Sequence, residues 1–391
     1  MIFRIREFNM SYEPLEKVRK ELKVKWLRPK IDQEKLRLLN QRSDWQGWIQ
    51  AGGHLGIWLV TGAIVYYFWA QQIWPAFLVA LFCHGTVASF FVGIAPHELG
   101  HGTVFKTKSL NQLFLYLYSG IAWWDPFDYA ASHTYHHRYT LHPDGDRENL
   151  LPISPLVGPF FLVQLFTINL LTQPGRTFGK GGLLSTLYVT ILNAFGRVGS
   201  LTIPSQEWLH ALHEDQPELH KSSIWWARLL LLFHGAVILV SLLSGYWVLA
   251  LIISLSPFIG NWGVYALGMT QHTGLKENDD DFRKCVRSVT VNPLAEFLYW
   301  RMNWHTEHHM FAGVPCYNLK PLYREIADQM PKPRTLLEAW QEMRETWYRQ
   351  QKEPDYYFDT PVPPIATVSK ARAGDEALES SIGDLAPKGL R

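Results

Sequence analysis

Two long stretches of this chain carry no formal charge. From Trp45 to His97 there are 53 residues without Asp, Glu, Lys or Arg, and from Leu229 to Leu275 there are 47. A helix needs roughly 20 apolar residues to cross the hydrocarbon core of a bilayer. Each run is about twice that length, so each is expected to form a hairpin of two spans. The expected spans are 55–70, 73–96, 224–244 and 246–269, with turns at Gln71, Gln72 and Pro75 and at Ser244-Gly245. The fold class is therefore all-α integral membrane: two transmembrane helical hairpins under a cytoplasmic helical cap.

Charge orients this scheme. Twelve Lys or Arg fall between residues 4 and 42, directly before the first expected span. The positive-inside rule then places the N-terminus in the cytoplasm. Two complete hairpins return the chain there, so the C-terminus is expected on the same side. No cleavable signal peptide is evident at the start. Net charge is only +2, which makes no case for nucleic-acid binding. The three cysteines, Cys83, Cys285 and Cys316, form no CxxC pair, so neither a thiolate metal site nor a disulfide framework is expected.

Between the hairpins the chain is harder to assign. Residues 105–150 carry Lys106, Lys108, Arg138 and Arg147, as an inside loop should. The charge-free runs 150–175 and 181–196 follow, the first with Pro152, Pro155, Pro159 and Pro174. If only one of them crossed, the last histidine cluster would lie across the membrane from the others. The expectation is that neither crosses. The domain scheme is a basic cytoplasmic segment at 1–50, a catalytic domain at 51–325, a helical segment at 326–358 and a tail at 359–391. The tail is rich in Pro, Ala, Gly, Ser and charge, and disorder is expected there.

Eight of the sixteen histidines fall in three tight clusters: His97 and His101; His133, His136 and His137; His305, His308 and His309. All three lie just past a span end on one expected side. Neutral imidazole is the commonest protein ligand for redox and Lewis-acid metals. Two imidazoles four apart share one face of a helix. His272, in Gln271-His272-Thr273, sits where the fourth expected span leaves the bilayer. Nine imidazoles are more than one zinc needs and suit two ions with four or five ligands each.

The order HxxxH, HxxHH, HxxHH on the cytoplasmic ends of two hairpins resembles the membrane fatty acid desaturase and hydroxylase superfamily, over about residues 50–325. The segment Arg138–Arg147 and the triplet Gln271-His272-Thr273 resemble it too. The resemblance implies a non-haem diiron centre that uses O₂ to remove hydrogen from an unactivated C–H bond. By position, His97, His101, His133, His136, His137, His272, His305, His308 and His309 would be its ligands. The implied substrate is an acyl-lipid, an acyl-CoA or an acyl carrier. Desaturation is the expected reaction and hydroxylation the alternative. Electrons are expected from a separate donor of cytochrome b5 or ferredoxin type. His142-Pro143-Asp144-Gly145 resembles a cytochrome b5 haem motif, but it lies five residues past the second cluster, which leaves no room for a haem domain. Some members carry an Asn one turn before the extra histidine, holding a bridging water. That position is Gly268 here, and Asn261 and Asn303 are candidate substitutes.

A rival reading takes His97-Glu98-Leu99-Gly100-His101 as HExxH, a zinc protease signature with Glu98 as base. It needs an acidic ligand in a later span, where there is none, and it leaves seven clustered histidines unused. The remaining histidines have plainer readings: His84 and His234 as hydrogen-bonded residues inside spans, His54 at an interface, and His210, His213 and His220 on a solvated helix. His142 reads as an outer-layer or exposed residue. Asp144 and Asp146 are either acceptors that orient ligand imidazoles or ordinary loop residues. Trp123, Trp124, Trp262 and Trp304 suit a substrate channel and interface packing equally.

Overall fold

The computed structural model describes residues 12–364, except 152, 154, 156, 172–180 and 200–205. Among the described residues, three helical stretches are long and apolar enough to cross a membrane: Asp44–Ala70, Trp74–Gly100 and Pro217–Leu243, each of 27 residues. At about 1.5 Å per residue each reaches roughly 40 Å, more than the ~30 Å hydrocarbon core. The first starts where the Ser43 hydroxyl caps the Gln46 N–H. It passes through a short π-helical segment, Trp48–Gly52, before the long helix Gly53–Ala70. Leu59, Val60, Ile64 and Tyr67 form its exposed apolar face, while Trp58 and Val65 turn into the protein. The third starts at Pro217, so the expected boundary at 224 falls seven residues late.

The stretch expected as a fourth span is not one helix. It runs as a π-helical segment Ala250–Leu255, a 3₁₀ turn Ser256–Phe258, an extended residue Ile259, and a short helix Trp262–Gly268. Pro257 has no N–H to continue a helical ladder. Gly260 has φ +61°, a left-handed conformation that glycine adopts without strain. Backbone polar groups released inside an apolar layer must find partners, and they do. His84 Nε2 donates to Ile252 O at 3.0 Å, and Trp123 Nε1 donates to Ser254 O at 2.9 Å. Asn169 N donates to Phe258 O at 2.7 Å, and Gly260 N donates to Thr167 O at 3.0 Å. His234 Nδ1 accepts from the Ser254 hydroxyl while its Nε2 donates to Gly120 O. His84 and His234, on two of the span-length helices, thus hold an irregular segment in place.

The apolar runs between the hairpins give short helices, Pro159–Phe166 and Leu183–Ala194. At eight and twelve residues both fall short of a bilayer crossing. Phe160, Val163 and Phe166, and Leu184, Tyr188 and Ile191, leave their outer faces apolar and exposed.

The 326–358 segment is integrated with the rest. Its main helix, Leu336–Gln350, opens with a Thr335–Glu338 capping box. Ahead of it, Arg334-Thr335 pairs in parallel with Val289-Thr290. From the helix, Glu342 accepts from buried Arg287 Nε at 2.9 Å. The Arg287 guanidinium in turn donates to Thr270 O at 2.6 Å and Thr273 O at 3.2 Å, the carbonyls flanking His272. The expected start of the disordered tail is also too early. Thr360 is buried and accepts from Arg334, Asp359 pairs with Lys284, and Pro363 O accepts from Arg283. The tail beyond 364 lies outside the described residues.

Candidate metal centre

Four local devices aim the histidines. Near the end of the second span-length stretch the helix breaks at Gly93, φ +76°, and restarts as Ile94–Gly100 carrying His97 and leading to His101. A Cβ at Gly93 would lie 3.0 Å from the Trp124 ring, so the break also sits against a tight neighbour. The helix Pro126–Tyr139 carries His133, His136 and His137. Its first turn is set by Pro126 and by the Asp125 carboxylate, which accepts from Phe127 N and Asp128 N. The helix His305–Met310 carries the third cluster. It is anchored by Ser288, whose hydroxyl accepts from Thr306 N at 3.0 Å and donates to Glu307 at 2.6 Å. The turn at 269–274, held by Arg287, presents His272.

These elements bring all nine histidines into one buried cluster with two parts. His97, His101, His133, His137 and His308 form a group of five, and His136, His272, His305 and His309 a group of four. Within each group, ring nitrogens lie within 4.8 Å of one another. The groups abut: the His137 and His309 rings stack at 4.4 Å between centroids.

The nitrogens face each other in a way that suits cations. In the five-ring group, His308 Nε2 lies 2.7 Å from His97 Nε2 and 3.2 Å from His137 Nε2. In the four-ring group, His305 Nε2 lies 3.1 Å from His272 Nε2 and 3.2 Å from His309 Nε2. Ligands at ~2.1 Å from a shared ion stand about 3 Å apart when at right angles. On the outer side, Nδ1 atoms meet acceptors. His272 Nδ1 donates to Cys285 O at 3.0 Å, and His136 Nδ1 to Asp146 at 2.9 Å. Thr140 Oγ1 gives its own proton to His136 O, so it accepts from His309 Nδ1 at 3.1 Å. His133 Nδ1 faces Glu148 at 3.3 Å, and His97 Nδ1 faces the Tyr129 hydroxyl at 2.8 Å. In His136, His272 and His309, whose protons are held outside, the Nε2 lone pairs turn inward, an arrangement that repels itself unless positive charge lies between, whereas Nδ1 of His137, His305 and His308 has no hydrogen-bond partner. His101 Nε2 and His133 Nε2 are buried without a hydrogen-bond partner, as metal-directed nitrogens would be.

The surrounding carboxyls divide by partner. Burial alone would raise Asp146, but the His136 imidazole and the Leu141 N–H beside it hold its carboxyl below the usual range. Burial pushes Glu148 up to about 7, with His136 opposing. Glu307 is likewise raised by burial to about 7. Glu98 Oε1 lies 3.2 Å from His308 Nδ1 without hydrogen-bond alignment, on the side of the ring away from the His97 and His137 nitrogens. A protease-type base would face the ion. This glutamate stands behind a ring instead.

Sequence reasoning left Asp144 and Asp146 undivided. Asp146 is buried against His136, whereas Asp144 contributes its backbone carbonyl to Arg147. His142 stays outside the cluster, with Nδ1 directed at the Tyr139 and Thr140 carbonyls. His54 bonds to Val87 O and the Trp300 indole. His213 is not simply solvated: Nε2 donates to buried Asp128 at 2.9 Å, and the ring stacks on His220. Asn261 and Asn303 each commit their amide nitrogen to a backbone carbonyl. Tyr129, Thr140 and Glu148 were missed. Their positions within fifteen residues of the second cluster were the only signal, and that signal does not separate them from their neighbours.

A pocket reaches the five-ring group. Leu115, Pro126, Ala130 and Thr134 line it together with His97, His101, His133 and His137. None of Trp123, Trp124, Trp262 and Trp304 is in its wall.

Fold and site together define a helical protein with apolar, span-length helices and a buried histidine-rich site suited to metal. A model of the family described as Fatty acid desaturase matches residues 72–339, and the chain belongs to that family. It is thereby an oxidoreductase-type protein of the desaturase and hydroxylase kind. No curated protein matches it.

Proposed function

We propose that this protein is an O₂-dependent fatty acyl desaturase with a non-haem diiron centre. The observation that carries this reading is the pair of inward-facing imidazole groups, five and four rings, in one cluster. His97, His101, His133, His137 and His308 would hold one iron; His136, His272, His305 and His309 would hold the other. Bound there, iron supplies the activation of O₂ needed to remove hydrogen from an unactivated C–H bond. Overall, a –CH₂–CH₂– unit, O₂, two electrons and two protons give –CH=CH– and two waters.

The chain's own residues do the rest. The outward Nδ1 acceptors Asp146, Thr140 and the Cys285 carbonyl lock ring orientation, so the site is preorganised before any ligand arrives. Burial of the whole cluster excludes water from the reacting carbon. Leu115, Pro126 and Ala130 offer an acyl chain an apolar wall that ends on four of the histidines. The site and both termini lie on the cytoplasmic side in this reading, and the electrons come from a separate carrier protein.

Expression in a host with a compatible electron donor, followed by mass spectrometry of total fatty acids, tests the proposal. The expected product lacks two hydrogens. A product that instead gains one oxygen makes the protein a hydroxylase on the same scaffold. Purified protein with a single zinc and no iron overturns both.

A further inference from the structure

One aromatic contact run leaves the histidine cluster and reaches the surface. The Phe282 ring touches His309, with centroids 5.7 Å apart. Trp26 stacks flat on Phe282 at 3.9 Å and 12°. Phe282 is fully buried, whereas Trp26 is partly exposed. Two bonds pin this strap of the N-terminal segment: Trp26 Nε1 donates to Arg138 O, one residue past the second cluster, and Leu27 N donates to Asp280 O. A second run, His133–Tyr129–Trp124, ends on a buried indole.

We propose that electrons enter the four-ring group along Trp26, Phe282 and His309, from an acidic one-electron carrier protein that docks over Trp26. This rests on the diiron reading above. Electron tunnelling falls steeply with distance and with every gap between atoms, so rings in van der Waals contact make the shortest bridge from surface to ligand. The rings conduct without being oxidised or reduced themselves. Iron held by the cluster would take up one electron from each of two carriers per turnover, each carrier being oxidised by one electron. The carrier's charge follows from the balance of exposed side chains in this strap and beside it: Lys23, Lys25 and Lys30, each within four residues of Trp26, against Glu21 and Asp280. Such a patch steers an acidic partner and makes its binding salt-sensitive.

The bridge can be tested without knowing the natural carrier. A ruthenium–bipyridine label on Lys25→Cys, in a Cys83→Ser background because Cys285 and Cys316 are buried, injects an electron by flash beside Trp26. Iron reduction is then read by absorbance. Trp26→Leu and Trp26→Met are expected to slow it by at least an order of magnitude, while Trp26→Phe stays near the parent rate. Iron content and bleaching by dithionite should be the same in all. An unchanged rate in both non-aromatic variants overturns the bridge. Absence of iron, or of dithionite bleaching, in the parent protein would instead sink the diiron reading. For docking, calorimetric titration uses ferredoxin and a soluble cytochrome b5 domain as probes. Lys23→Glu/Lys25→Glu/Lys30→Glu should weaken the better binder by an order of magnitude. No binding of either probe to the wild type, or no change in the variant, overturns the docking surface.

Discussion

The four-ring and five-ring groups use the same side chain but are fastened differently. In the four-ring group, His136, His272 and His309 each pass Nδ1–H to a set acceptor: a carboxylate, a backbone carbonyl and a threonine hydroxyl already committed as donor. Buried Arg287 and Glu342 hold the His272 turn from behind. The fourth ring, His305, has no partner at Nδ1. In the five-ring group fewer rings are held, although His133 Nδ1 faces Glu148 at 3.3 Å. His137 Nδ1 has no hydrogen-bond partner, His308 Nδ1 meets Glu98 out of alignment, and His97 leans on Tyr129, itself in the pocket wall. The difference teaches that equal ligand chemistry does not mean equal stiffness. The stiffer half lies against the packed interior, and the looser half faces the pocket where a substrate carbon would have to fit.

Predictions that bear on this contrast run from total loss to small shifts. On the diiron proposal, His272→Ala and His101→Ala should each abolish turnover and leave roughly one iron in place of the two expected of the parent, measured by elemental analysis. If either variant loses both ions, the two groups are one thermodynamic unit. Glu342→Gln removes the charge partner of the buried Arg287 guanidinium beside the His272 turn while leaving its bonds to Thr270 O and Thr273 O, a change worth up to about 3–5 kcal/mol of stability. It should lower the melting temperature and deplete iron from the four-ring group first, seen as loss of one of two Mössbauer components. Asp146→Ala removes the partner that fixes the His136 tautomer and should weaken metal retention by about 10–100-fold in a chelator competition. The matching change at Glu148, Glu148→Ala, should cost less if the five-ring group is the looser one. Ala130→Phe fills the pocket without touching a ligand. Iron content should stay at the parent value while KM for long acyl chains rises, and unchanged kinetics would remove the pocket from the substrate path. Smallest of all, Thr140→Val leaves His309 Nδ1 without its acceptor, an effect of about 1 kcal/mol, to be read as a modest drop in chelator resistance.

The nine clustered histidines were legible because their signal is local and rare. Three histidine clusters each sit within about one turn of helix, and helix geometry puts the pairs four apart, His97 with His101, His133 with His137 and His305 with His309, on one face. The extra His272 was reachable through the hydropathy that ends its segment. The supporting residues were not legible. Asp146 and Asp144 differ by two positions in one loop, and only the path of that loop decides that Asp146 meets His136 while Asp144 turns its backbone to Arg147. Tyr129, Thr140 and Glu148 are common residues at ordinary spacings, and nothing in their neighbourhood distinguishes a partner of imidazole from a residue facing solvent.

The chain by itself determined which segments are apolar, how long they are and where the nine imidazoles lie along them, because charge exclusion and helical periodicity are properties of short stretches. Tertiary structure alone decided that residues 246–269 break instead of spanning as one helix. Hydropathy counts apolar side chains and is blind to backbone hydrogen bonds. It cannot register that His84, Trp123 and residues 167–169 supply the partners that let the Pro257–Gly260 region leave the helical path. The sorting of nine rings into a group of five and a group of four was likewise decided only by packing. Neighbours His136 and His137 point to different groups, and that follows from what stands on each side of their helix.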